Sequence, residues 1–328
     1  MDNKSELLAK QIKEKILENF FEYIRLFTPV QSSFLSSLHQ RYQCLESANI
    51  VLYFEKKTHQ AILRQKNFDL NYDLSFKKFW QNHNVVEAPQ STIIDIAKNT
   101  NLPKETTRRK ILELTKQKIL VKKNRFTLWA PSEEYKKTYN DCAELEIKQL
   151  TKLTKYITDK INLNISSESI LNKYKEKFSF YWFNYLNLQL RWMQLWKSQL
   201  HDLEIVLIFM QIASLLSSRV KEKISHNILF SEPNIINNPI TQNLNVSVSA
   251  TSLSDITGIP RATCIRKLNF MVAKKLLMQD GNSKRYYIIP EALTKNLVSK
   301  DLTEKVTGLF SEFYFISIKA MDSKISNQ

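Results

Sequence analysis

The stretch "NTNLPKETTRRKI", residues 99–111, sets Lys104, Thr106, Arg108, Arg109 and Lys110 within two helical turns of one another. At an offset of 157 residues, "ITGIPRATCIRKL" places Arg261, Thr263, Arg266 and Lys267 where the first stretch has Lys104, Thr106, Arg109 and Lys110. Guanidinium, ammonium and hydroxyl donors at one-turn spacing suit the holding of a polyanion through its anionic oxygens and acceptor edges. Little else in the chain competes as chemistry. His39, His59, His83, His201 and His226 are scattered, without a spacing that would ligate a metal. With three glycines in all there is no phosphate-cradling glycine loop, and neither a nucleophile elbow nor a paired-carboxylate signature is present. The expectation is a chain with no catalytic residue, no metal and no cofactor; an enzyme of novel chemistry is kept as an alternative.

The donors need elements to position them, and the surrounding residues predict which. Residues 96–121 align with 253–278 without a gap, and seven of 26 positions are identical: Thr100/Thr257, Pro103/Pro260, Thr106/Thr263, Arg109/Arg266, Lys110/Lys267, Lys118/Lys275 and Leu120/Leu277. Thr92 and Ser249 are placed to cap a first helix, with Asp95 three residues after Thr92 as in a capping box. Asn101 and Gly258, two residue types that tolerate positive φ, mark a tight turn. Pro103 and Pro260 open a second helix, where a missing N–H costs nothing. Thr107, Ile111 and Leu114, like Cys264, Leu268 and Met271, repeat at four and three and make its buried face. The basic residues are expected on the opposite face. A short hairpin follows each helix, "ILV" with "RFTLWA" and "LLMQ" with "KRYYII", with Gly281 the natural turn residue of the second.

The strings "DIAKNTNLPKETTRRKILELTKQKILV" and "LSDITGIPRATCIRKLNFMVAKKLLM" resemble the winged helix-turn-helix of bacterial transcription regulators, of the broad MarR-like and GntR-like kind, over about 45 residues per copy. The resemblance implies that the second helix of each copy, about 103–117 and 260–274, docks in the major groove of double-stranded DNA. By that implication Lys104, Thr106, Arg261 and Thr263 lie nearest the bases, Arg109, Lys110, Arg266 and Lys267 meet phosphate or guanine, and Arg108 is a further DNA-binding residue. Lys122, Lys123, Arg125, Lys284 and Arg285 on the hairpins add backbone contacts.

Charge is distributed to match. The chain has 48 Lys and Arg against 32 Asp and Glu, a net +16. Residues 91–131 carry ten basic and three acidic side chains, and residues 247–293 carry seven and three. These two segments therefore hold 11 of the 16 excess charges, and they contain the two copies. A basic face that was merely solvated would not need this concentration. A sequence-specific transcription regulator is the leading expectation. A plasmid- or phage-type replication initiator and a protein-interaction scaffold are the alternatives.

The 328 residues, 43% hydrophobic, predict a mostly α-helical protein with small β-hairpin wings and a possible internal duplication. The expected blocks are helices over 1–84, a first winged helix over 85–135, a charged helix and linker over 136–177, aromatic-rich helices over 178–230, a second winged helix over 231–295 and a C-terminal helix over 296–328. Leu8, Ile12, Ile16, Phe20, Ile24 and Phe27 form one apolar stripe, and "NLNISSES", 162–169, is the best linker. The stripe Leu150, Leu153, Ile157 and Ile161 is open to homodimerisation or to packing on its own domain. Tyr181, Trp182, Trp192 and Trp196 are open to a small-molecule effector pocket or to core packing. "IVLIFMQIASLL", 205–216, is too short to span a bilayer, so no membrane partner is expected. Cys44, Cys142 and Cys264 are odd in number and widely spaced, which fits a reducing, cytoplasmic location, and the DNA-binding expectation makes that location nucleoid-associated. "FSEPNIINNPITQNLNVS", 230–247, reads as a loop.

Overall fold

A computed structural model describes residues 3–224, 247–288 and 300–321. They are mostly helical, with two small antiparallel sheets. The stretch 230–246, expected as a loop, and His226 lie outside the described residues. Among the described residues no helix is long and apolar enough to cross a membrane. The chain folds as two compact units, each assembled from separated stretches: residues 1–15, 46–194 and 309–328 in the first, 16–45 and 195–308 in the second.

Helix α1 (Asn3–Glu18), which lies in the first unit as far as Lys15, buries Leu8, Ile12 and Ile16. The stripe expected to run on through Ile24 does not. The helix stops, and α2 (Phe20–Tyr42), which belongs to the second unit, begins a new one with Asn19 as its cap; it buries Phe27 as expected, but Tyr23 in place of Phe20 and Ile24, which stay half-buried. Helix α3 (Leu45–Phe68) is followed by a 3-10 turn (Phe76–Lys78) and α4 (Phe79–Val85). The first copy is α5 (Ile93–Thr100), α6 (Lys104–Lys116) and the hairpin β1 (Leu120–Lys123)–β2 (Phe126–Trp129). Leu120 pairs with Trp129 and Lys123 with Phe126, and Ser91 bridges to Thr127 on the other edge of β2.

Behind this copy an aromatic core fixes the hairpin. His59 stacks on Phe79 at 4.6 Å, Phe79 on Tyr139 at 5.5 Å, and Trp80 lies 5.6 Å from Trp129. Tyr53 and Lys57 on α3 both bond Ser91 Oγ, at 3.0 and 2.9 Å, and Asn49 Nδ2 donates to the carbonyl of Thr100 at 3.0 Å. One face of α3 thus holds the start and the end of α5.

Helix α7 (Glu133–Lys160) follows, capped by Ser132. Its stripe of Leu150, Leu153 and Ile157, continued by Ile161, is buried within the chain, which removes it as a seam for a second copy. Helices α7 and α8 (Ser167–Glu176) pack together inside one unit, so 162–169 holds a turn within that unit rather than a linker between domains. Helix α9 (Phe178–Leu200) carries Tyr181, Trp182, Trp192 and Trp196, all buried, and Tyr185 OH donates to the buried Glu146 at 2.9 Å. Burial pushes the Tyr185 hydroxyl well above its ordinary pKa. Those aromatic side chains are core.

In the second unit, α10 (Leu203–Ile224) buries every side chain from Ile205 to Ile212 and packs along α2, with Gln211 Nε2 bonded to Ser36 Oγ at 2.7 Å. The second copy is β3 (Ser247–Val248), α11 (Ala250–Thr257), α12 (Arg261–Ala273), β4 (Leu277–Gln279) and β5 (Tyr286–Ile288), with strand order β3-β5-β4. Helix α10 packs on both α11 and α12. The similar strings "ANIVLYF" and "LEIVLIF" therefore lie on the long helix packed behind each copy. Helix α13 (Lys300–Met321) is the last described element.

Candidate nucleic-acid interface

The two copies share their helices and turn to the residue, while their hairpins differ in length. Helices α5 and α11 have eight residues each and α6 and α12 have thirteen, all at the 157-residue offset. Thr92 accepts from the Asp95 amide while Asp95 accepts from the Thr92 amide, and Ser249 accepts from the Ser252 amide at 3.0 Å. Those bonds, the Thr92 hydroxyl first, hold the Asp95 carboxyl below its usual range. Asn101 (φ 51°) and Gly258 (φ 74°) make the left-handed turn. Pro103 and Pro260 sit one residue before the second helices, as extended caps rather than as first helical residues. Lys118 and Lys275, an identical pair, end those helices at φ 57° each. Leu102 and Ile259 are buried under the turn, and Thr107, Ile111, Leu114, Cys264, Leu268 and Met271 form the inner faces. Cys264 is wholly enclosed, and burial raises its thiol pKa, as for a small core residue.

The opposite face is basic, with two corrections. Lys104, Arg108, Arg109, Arg261 and Arg266 are exposed, while Thr106 and Thr263 are half-buried. Lys110 and Lys267, expected on this outward face, are not there. Arg109 keeps 70% of its side chain exposed, but Lys110 keeps 15% and bonds Glu113 Oε2 at 2.8 Å. Lys267 keeps 10% and is ion-paired to Asp202 and, at 3.1 Å, to Glu204. The helical wheel explains both. Each lies three residues from Thr107 or Cys264 and four from Leu114 or Met271, and so flanks the buried stripe instead of opposing it. Asp202 also caps α10, accepting from the Glu204 amide at 2.8 Å. The neighbouring His39, 3.6 Å away, and then Lys267 pull the Glu204 carboxyl down to about 2. Lys267 therefore ties α12 to the start of α10.

On the hairpins Lys122, Lys123, Arg125, Lys284 and Arg285 are all exposed. Arg125 lies over the Phe126 ring at 5.0 Å, and Arg285 is anchored to Ser247 Oγ at 2.7 Å. The left-handed position in the second hairpin is Lys284 (φ 53°) and not Gly281, whose φ is ordinary; Asp280 closes that turn by accepting from the Lys284 and Ser283 amides. Arg108 pairs with Glu105 at 3.0 Å and Arg261 with the Thr251 hydroxyl at 3.1 Å. The side chains of Lys104, Lys122, Lys123, Arg266 and Lys284 make no hydrogen bond or ion pair with a described residue. Reading by motif passed over Lys98, Lys116, Lys118, Lys274 and Lys275, which are also exposed around each copy; the charge count by segment is the signal that contains them.

No family model, curated protein or solved structure matches this chain.

Among the described residues no group of three or more His, Cys, Asp or Glu could hold a metal ion. What the arrangement offers is a convex helix face of cations and hydroxyls flanked by a hairpin bearing more cations, twice over. Such a surface can neutralise phosphates and donate to acceptor edges.

Proposed function

We propose that the chain is a sequence-specific double-stranded DNA-binding protein, a transcription regulator with tandem winged helix-turn-helix domains. In this reading α6 and α12 lie in the major groove and the two hairpins follow the phosphate backbone. The observation that carries it is the duplicated helix, left-handed turn, helix and hairpin whose outward faces hold Lys104, Arg108 and Arg109 in one copy and Arg261 and Arg266 in the other. The strand order β3-β5-β4 and the Ser91–Thr127 bridge place a third strand segment beside each hairpin, which also suits that reading.

Groove insertion needs donors that are exposed and supported from behind. The aromatic core under β2 and the Lys267 tie under α12 supply that support. A gel-shift series on random duplexes is expected to enrich a defined sequence, with binding that weakens steeply as salt rises. Binding without preference among duplexes would remove the specific part of the reading, and salt-insensitive binding to protein alone would replace it with a scaffold. Mapping of bound sites in the native cell then separates promoters from a replication origin.

A further inference from the structure

The two outward faces share a frame but not a surface. On α6 the row at spacings of four and three is Glu105, Arg109 and Leu112; on α12 the same row is Ala262, Arg266 and Asn269. All six are exposed, Leu112 at 49% although it is apolar. Only the central arginine is common.

Resting on the reading of both helices as groove-docked, we infer that the chain recognises an asymmetric duplex: two unlike half-sites, discriminated by Glu105 and Leu112 in one and by Asn269 in the other. A carboxylate on a face that meets a polyanion is repelled by phosphate. It is tolerated where it finds a donor, and in the major groove that donor is the exocyclic amine of cytosine. Arg108 holds Glu105 at 3.0 Å and leaves its second carboxylate oxygen to accept. Leu112, about two turns on from Glu105, suits the thymine methyl group. The second copy has Ala262 and Ile265 at the places of Glu105 and Arg108, so it has neither the carboxylate nor the partner that orients it. It has Asn269 instead, whose Oδ1 accepts from Tyr286 OH at 3.1 Å. That bond fixes the amide plane and leaves both N–H groups and a lone pair for an adenine edge. Arg109 and Arg266 each suit a guanine, the element common to both half-sites.

The test is selection from a random duplex pool by the full chain, by Glu105→Ala, Glu105→Gln and Asn269→Ala, with each variant first checked for an unchanged melting curve. The wild type is expected to enrich two unlike elements, each containing a guanine. Glu105→Ala should relax preference in one element only, by roughly tenfold at the affected position. Glu105→Gln should turn that position from cytosine toward adenine. Asn269→Ala should relax the other element only. Enrichment of two identical or mirror-related elements, or relaxation of the same positions by both alanine variants, overturns the asymmetry while leaving sequence-specific binding in place. A pool that shows no enrichment at all overturns the DNA reading and the inference with it.

Discussion

Lys267 and Arg266 are neighbours in sequence with opposite assignments, and substitution separates them. Arg266 is exposed and its side chain makes no hydrogen bond or ion pair with a described residue, so Arg266→Ala is expected to weaken DNA binding with little change in folding stability. Lys267 is enclosed beside Asp202 and Glu204, so Lys267→Ala leaves Asp202 without its cation and Glu204 with only His39 beside it. It is expected to cost on the order of 1–3 kcal/mol of stability, read by urea unfolding; equal effects of the two variants on folding would contradict the assignment. A second residue-scale expectation concerns pH. His59 is fully buried against Phe79, and burial, then the charge of His83, lowers its pKa from 6.5 to about 3. The unfolded chain therefore binds the proton more readily between these values, and the native state loses stability as pH falls from about 6.5 toward 3. His59→Leu should make unfolding free energy shallower in pH over that window, measured by urea titration at pH 7 and pH 5, whereas an unchanged slope would sink the attribution.

At the scale of elements, the left-handed turn is the sharpest test. Gly258 sits at φ 74°, and an added Cβ would meet Gln40 Cγ at 3.3 Å. Gly258→Ala is expected to cost about 1–2 kcal/mol. Gly258→Asn should cost less, because Asn101 already occupies the equivalent turn at φ 51°. Thermal melting ranks them, and an alanine variant as stable as the asparagine variant would contradict the turn assignment. Thr92→Ala, which removes one half of the capping box, should cost about 1 kcal/mol in the same assay.

These features were legible because they are local. A cap, a turn and a stripe at four and three each depend on residues within two helical turns, and Thr92, Asn101 and Ile111 lie where their types require. The break at Asn19 was not legible. No glycine or proline marks it, whereas Pro29, a nominal breaker, sits inside α2 undisturbed. Packing decides there, since burial of Tyr23, Phe27, Phe34, Leu35 and Leu38 outweighs one lost backbone bond. The flanking position of Lys267 follows from the helical wheel, but its ion pairs needed tertiary structure, because its anions are some 65 residues away in the chain. Outward-facing Glu105, Leu112 and Asn269 carry no signal in the pattern of positive charge, because none of them is a cation.

For the whole molecule, the decisive property is that 11 of 16 excess charges fall in the two segments that carry the copies. Binding driven by those charges releases condensed counterions, so affinity should fall as a power of salt concentration, with each phosphate contact adding about 0.9 to the slope. The most direct test is a titration of a selected duplex with the full chain over a range of salt, alongside the Arg109→Ala, Arg266→Ala double variant. The account predicts a steep wild-type slope on the log–log plot, a slope shallower by about two in the double variant, and retained preference over scrambled duplex in the wild type only. A slope near zero, or a double variant with unchanged slope and affinity, would contradict it.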